Sequence, residues 1–263
     1  MVDVTFSYLS FVNIESLIHL NASYATTIVV ALVVVVQSLF GVGVLFLGTP
    51  LLLILGLNYV EIFNVLLPVS LCLSFIQTVV GWRHVQWSTV KWFVLLSLPA
   101  TALGILLLKS IVGAAFLPIA IALYLAAVSI GFYFHAFPNV IEWALRRDHI
   151  YVVVTGLIHG ATNLGGPLLS TYVLAKYNDK QQARATTAVC YGLLVLAQIL
   201  TLSITGTNLR FNQTNLVQIA IAILVFALTN AFVFHRISNQ KFRLFFGFLL
   251  LLISALLMVR YFG

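Results

Sequence analysis

Two short stretches hold most of the residues able to do chemistry. They are "GVGVLFLGTP" over 41–50 and "HGATNLGGP" over 159–167. Each runs through glycines into a proline. Glycine lets a chain turn sharply and lets a ligand approach the backbone. Proline suits the first turn of a helix, where its missing N–H is not needed. Gly48-Thr49-Pro50 and Gly165-Gly166-Pro167 therefore read as helix starts, with Thr49 or Gly166 as the cap and Pro50 or Pro167 opening each. A helix start presents N–H groups without partners and about half a positive charge, which suits an anion. Two such starts meeting inside the protein would hold a small anion without a buried Lys or Arg. Gly41 and Gly43 complete the first stretch. Thr162 and Asn163, with Ser170 and Thr171, would add side-chain donors, and His159 could bond an oxyanion or carry a proton.

Each of these residues also has a structural reading. The glycines could serve packing, and Gly156 with Gly160 has the spacing of a close helix contact. His159 could bond a neighbouring carbonyl. Gln37, Ser38, Gln77 and Gln198 stand in apolar runs, where they would line a path or hydrogen-bond between helices. Arg83 and Arg184, at the ends of apolar runs, would draw anions to a mouth or simply orient the chain.

Other chemistries are excluded by what surrounds these stretches. Asp3, Glu15, Glu61, Glu142, Asp148 and Asp179 all fall at ends or in connections, so there is no relay of membrane-buried acids. No Ser–His pairing in a GxSx setting, no P-loop and no metal-ligand spacing occurs. No catalytic residue, cofactor or metal is expected. Cys72 and Cys190 lie in apolar runs and read as small buried side chains.

The elements that must position the two stretches are membrane helices. The chain is 62% hydrophobic and 7% charged, against about 25% charged residues in a soluble domain. The net charge of +7 sits almost wholly in short connections, which points to orientation in a bilayer and not to nucleic acid. Segments 62–81, 90–109, 113–134, 183–205, 215–235 and 242–262 each suit a full span. Regions 25–57 and 149–177 are broken, and each divides into two pieces of roughly 12 to 16 residues, short for a ~30 Å hydrocarbon core.

The order is broken region, three spans, then the same again. Pro50 and Pro167 match at a separation of 117, Cys72 and Cys190 at 118, Gly41 and Gly160 at 119. If the second broken region returns to the side it came from, ten of the 13 Lys and Arg share one side, leaving Lys109, Arg210 and Arg260 opposite. A single crossing would divide them six against seven. The positive-inside bias favours the return path, with the ten facing the cytoplasm. Three crossings per half then invert the second half relative to the first.

The expected fold is all-α and membrane-integral, with two inverted repeats, each a broken re-entrant-like helix pair plus three transmembrane helices. Residues 1–24 form an interfacial lead-in without the basic start of a signal peptide. Residues 25–134 form the first repeat, 135–148 a cytoplasmic linker and 149–263 the second repeat. Both termini lie outside, and both tips approach the midplane.

"FGVGVLFLGTPLLLILGL" and "HGATNLGGPLLSTYVL" resemble the glycine-rich stretches that run into Pro-Leu near the start of each half in the TauE/SafE family of membrane transporters. The layout is similar over the whole chain. The first stretch departs from the run of adjacent glycines many members carry, spreading Gly41, Gly43 and Gly48. The resemblance implies transport of sulfite, organosulfonates or related sulfur compounds, usually outward. The expected partners are a small anionic substrate and the lipid bilayer of the cell membrane. The expected mechanism is alternating access, with an anion channel and an intramembrane enzyme or assembly partner as alternatives. Asn163→Leu is expected to abolish anion binding and leave the protein folded.

Overall fold

The computed structural model describes residues 23–111, 117–133, 146–177, 179–232 and 239–262. Residues 1–22 of the expected lead-in and 135–145 of the expected linker lie outside them. Every regular element among the described residues is a helix. In order these are α1 (Ser23–Phe40), α2 (Val44–Ile54), α3 (Tyr59–Gly81), a short 3₁₀ turn (Trp82–His84), α4 (Trp87–Ile111) and α5 (Leu117–Tyr133). Then follow α6 (Asp148–Thr162), α7 (Gly165–Lys176), α8 (Lys180–Ile204), α9 (Gln213–Phe232) and α10 (Asn239–Phe262). Among the described residues α1, α3, α4, α8 and α9 are long and apolar enough to cross a membrane, and the protein is a multi-pass membrane protein.

The spans that follow the broken regions begin at polar caps. Asn58 Oδ1 accepts from Glu61 N at 3.0 Å while Glu61 Oε2 accepts from Asn58 N at 2.7 Å, a reciprocal box at the start of α3. Asp179 Oδ1 accepts from Gln181 N at 2.7 Å and Gln182 N at 2.9 Å at the start of α8.

Both regions read as broken are broken, and by one backbone device used twice. Gly41 takes the left-handed conformation at φ 79°, and its N–H donates to Gln37 O at 2.8 Å. Asn163 takes it at φ 66°, and its N–H donates to His159 O at 2.8 Å. Past each turn the chain doubles back on itself. A methyl added at Gly43 would stand 2.5 Å from Gln37 N and 3.0 Å from Val33 O. One added at Gly165 would stand 2.5 Å from His159 Cβ and 2.8 Å from Thr155 O. All four pairs, 33 with 155, 37 with 159, 41 with 163 and 43 with 165, are 122 residues apart. The second hairpin continues antiparallel: Tyr151 Oη donates to Leu168 O at 2.9 Å, and Tyr172 Oη donates to Asp148 Oδ2 at 3.2 Å.

This geometry corrects three expectations. Pro50 lies inside α2 and does not open it, and Thr49 is not its cap, because α2 begins at Val44. Pro167 is the third residue of α7, whose cap position is Leu164 and not Gly166. The turn is set by the residue able to adopt positive φ, and the proline then only has to fit the helix that follows. The repeat register drawn from the matches 117 to 119 apart is likewise displaced: Gly41 corresponds to Asn163, 122 residues on, and not to Gly160. Finally, α1 has 18 residues, about 27 Å at 1.5 Å per residue, so only α2 of the first pair is a short piece.

Packing pairs the two sets of five helices. α3 lies on α8 and α5 on α10; α3 packs with α9 as α8 packs with α4; α2 packs with α3 as α7 packs with α8. α4 packs along α6, and α9 reaches α1 where Gln218 Nε2 donates to Thr26 Oγ1 at 3.4 Å. Exchanging the first five helices for the second five maps each of these pairs onto itself or onto another of them. α3 and α8 run antiparallel, because a methyl at Gly192 would meet Ser74 Cβ at 2.9 Å while one at Gly81 would meet Ala185 Cβ at 2.8 Å. Gly156 and Gly160 do serve packing: a methyl at either would collide with a carbonyl of α4, that of Ser97 or that of Thr101.

Candidate functional site

The two hairpin tips slide past one another along α8. At the first tip, a methyl on Gly41 would touch Arg184 O at 2.7 Å and Ala188 N at 3.1 Å. At the second, the amide of Asn163 meets Gln198, ten or more residues further along the same helix. Tips that far apart, roughly 15 Å at 1.5 Å per residue, do not converge on one point. What converges is the pair of helix starts behind them. Leu45 N donates to Tyr191 Oη at 3.2 Å. A methyl on Gly166 would stand 3.2 Å from Phe46, 3.4 Å from Val42 and 3.5 Å from the Tyr191 ring. Tyr191 thus lies between the start of α2 and the start of α7, one residue from Gly192 at the middle of the α3–α8 pair.

A chain of buried neutral hydrogen bonds joins the two hairpins. Asn163 Nδ2 donates to Thr49 Oγ1 at 2.9 Å, and Gln198 Nε2 donates to Asn163 Oδ1. Thr49 and Gln198 are 0% exposed and Asn163 1%. Around the first turn, Gln37 Oε1 accepts from Val44 N at 3.0 Å. Its Nε2 donates to Ser74 Oγ at 3.3 Å, and Gln77 Nε2 donates to Gln37 O at 2.8 Å. Around the second turn, Leu164 N donates to Thr162 Oγ1 at 3.2 Å, and Tyr124 Oη donates to Leu164 O at 2.9 Å.

His159 stands apart from this pattern. It is fully buried, and neither ring nitrogen has a hydrogen-bond partner among the described residues. Its ring lies edge-on to Tyr191 with centroids 5.6 Å apart. The carbonyl partner that a structural histidine would need is absent among the described residues. A buried polar group in that condition costs about 1–3 kcal/mol.

The remaining singled-out residues divide between site and scaffold. Gly48 faces Leu66 of α3, where an added methyl would stand 2.7 Å from Leu66 Cδ1, and Gly43 faces its own hairpin. Ser38 Oγ donates to Val34 O at 2.7 Å. Pro50 and Pro167 are buried in α2 and α7. Ser170 Oγ is buried without a partner among the described residues, and Thr171 is half-buried. Arg83 is exposed at the end of the α3 span. Arg184 Nη2 donates to Asn230 Oδ1 at 2.9 Å, with its guanidinium over the Phe226 ring at 5.9 Å. Sequence reading passed over Tyr191 and Tyr124. Their only signal was a phenol in mid-span, the placement that had drawn notice to Gln37 and Gln198.

Among the residues whose side chains the structure describes, no Lys, Arg, Asp or Glu is buried, and among the described residues no group of three or more His, Cys, Asp or Glu could hold a metal. The site is therefore an array of amides, hydroxyls, one imidazole and backbone N–H groups at two helix starts. Such an array stabilises negative charge through dipoles.

The family model described as sulfite exporter TauE/SafE matches residues 26–257. No curated protein and no solved structure matches the chain.

Proposed function

We infer the function from one premise: the chain belongs to the sulfite exporter TauE/SafE family of membrane transporters. Within that family we propose that it moves a small sulfur oxyanion, sulfite or a short organosulfonate, outward across the cell membrane. The observation that carries this reading is the buried chain Thr49–Asn163–Gln198, which ties one broken region to the other beside the start of α7. Neutral donors at helix ends can bind an anion and still release it, since no buried cation holds it.

Binding is assigned to His159, Thr162, Asn163, Gly165, Gly166 and Thr49. Gly41, Gly43, Gly48, Pro50 and Pro167 shape the two hairpins. The antiparallel α3–α8 contact and the exchangeable packing pairs support two repeats, 25–134 and 149–263, related by an axis in the membrane plane. On this reading both termini are extracytoplasmic. Rocking one repeat against the other would expose the site alternately on each side, with the Asn163–Thr49 bond remade at each passage.

The test is flux into liposomes holding the purified chain, with sulfite, sulfoacetate, sulfate and a neutral sugar compared. Saturable sulfite or sulfoacetate flux with counterflow, and none of the sugar, is expected. Flux that never saturates would make the protein a channel. No anion flux from folded protein would overturn the reading.

A further inference from the structure

We propose, resting on the anion-transport reading above, that the anion is held at the start of α7 and not at that of α2, with the Gly165 and Gly166 N–H groups and the His159 ring as its principal donors. The start of α2, on this proposal, is closed by the protein's own side chains. The two breaks share a backbone but not an electrostatic outcome. Position 37 in the first corresponds to 159 in the second, 122 residues on, and position 44 to 166. In the first break the Gln37 amide folds onto the helix start and accepts from Val44 N at 3.0 Å. The next N–H, of Leu45, goes to Tyr191 Oη at 3.2 Å. The donors an anion would use are occupied.

In the second break the corresponding side chain is His159. It does not cap the helix, and no side chain among the described residues accepts from Gly165 or Gly166. Pro167 follows with no N–H, so those two glycine donors are the ones on offer. His159 is wedged between Gly165 and the Tyr191 ring, and that ring abuts Gly166. A neutral imidazole has one N–H to give an oxyanion and a protonated one has two. Gly166, at a helix start with no side-chain cap, and the fully buried, unpartnered His159 imidazole thus both adjoin the Tyr191 ring. An oxyanion with two or more oxygens satisfies both. The first break, with Gln in the histidine's place, serves as the internal control.

The control suggests the experiment. His159→Gln should convert the second break into a copy of the first, its amide reaching Gly166 N–H as Gln37 reaches Val44. The full chain in detergent is titrated with sulfite by calorimetry, with thermal melting as the check on folding. Wild type is expected to bind, His159→Gln to bind at least tenfold more weakly at an unchanged or higher melting temperature, and Gln37→Met to stay within threefold of wild type. Gly166→Ala, which adds a methyl beside the two donors, provides a second variant should His159→Gln fail to fold, and a tenfold loss is expected there too. A folded His159→Gln, or failing it Gly166→Ala, that loses less than tenfold overturns the proposal. So does a folded Gln37→Met that loses more than threefold. Wild type that binds neither sulfite nor sulfoacetate sinks the anion-transport reading itself, an outcome distinct from wild type and variant binding alike.

Discussion

Asn163 performs two jobs that substitution can separate. Its backbone sits at φ 66°, and its side chain bridges Thr49 and Gln198. Asn163→Gly keeps the backbone easy and removes only the bridge. Interhelical hydrogen bonds in membrane proteins average about 0.6 kcal/mol and reach about 1.7. Losing two should therefore cost roughly 1–3 kcal/mol. Asn163→Leu loses the same two bonds and also places a γ-branched side chain in the left-handed region, which adds about 1–2 kcal/mol. The leucine variant should thus be less stable than the glycine variant by that increment. Sequence reading alone, blind to the backbone angle, expected Asn163→Leu to leave the fold intact. Unfolding in mixed micelles, followed by circular dichroism, measures both variants against wild type. Equal stability of the two would refute the claim that positive φ at Asn163 sets the turn. Both variants should lose sulfite flux, and retention of flux by the glycine variant would remove Asn163 from the binding site.

Three further outcomes are expected. Gly160→Ala should lower the melting temperature far more than Gly206→Ala, because a methyl at Gly160 collides with the Thr101 carbonyl whereas Gly206, though at positive φ, has nothing within 4 Å; melting curves of the two variants decide it. Asp179 is held below the usual carboxylate range by the N–H groups of Gln182 and Gln181. A carboxyl with a lowered folded-state pKa stabilises above its unfolded pKa and stops doing so as pH falls through the folded one. Asp179→Asn should therefore flatten the acid side of the stability–pH curve, and an unchanged curve would deny the cap that role. Cys190 is fully buried and Cys72 only partly, so in a Cys72→Ala background a maleimide should label Cys190 after denaturation and not before, as mass spectrometry would show.

Four of the six expected spans, 62–81, 90–109, 183–205 and 215–235, and the positions of both breaks were legible because each span is one unbroken apolar run, a signal that requires no knowledge of what packs where. The fifth helix long enough to cross among the described residues, α1, reads in sequence as half of a broken pair. The internal geometry of the breaks was not legible. Prolines are conspicuous, and the preference for proline in a first turn is real, so Pro50 and Pro167 drew the helix starts toward themselves. The backbone turned instead at Gly41 and Asn163, the residues that tolerate positive φ. Asparagine carries that signal faintly and was read only as a donor. The error mattered, because the sequence matches 117 to 119 apart pair Gly41 with Gly160, whereas the backbone pairs Gly41 with Asn163 and Gln37 with His159. Gln and His share no sequence likeness that would have matched them. Yet that is where two copies of one fold would be expected to diverge if only one of them binds. A repeated backbone places the same N–H groups at both helix starts, so any difference in ligand must come from the side chains standing over them. Gln37 supplies an acceptor and closes its start, while His159 supplies none to the start of α7 and remains unpartnered among the described residues. The difference between the two breaks thus lies in one pair of residues, 37 and 159, which hold the same place in the two turns.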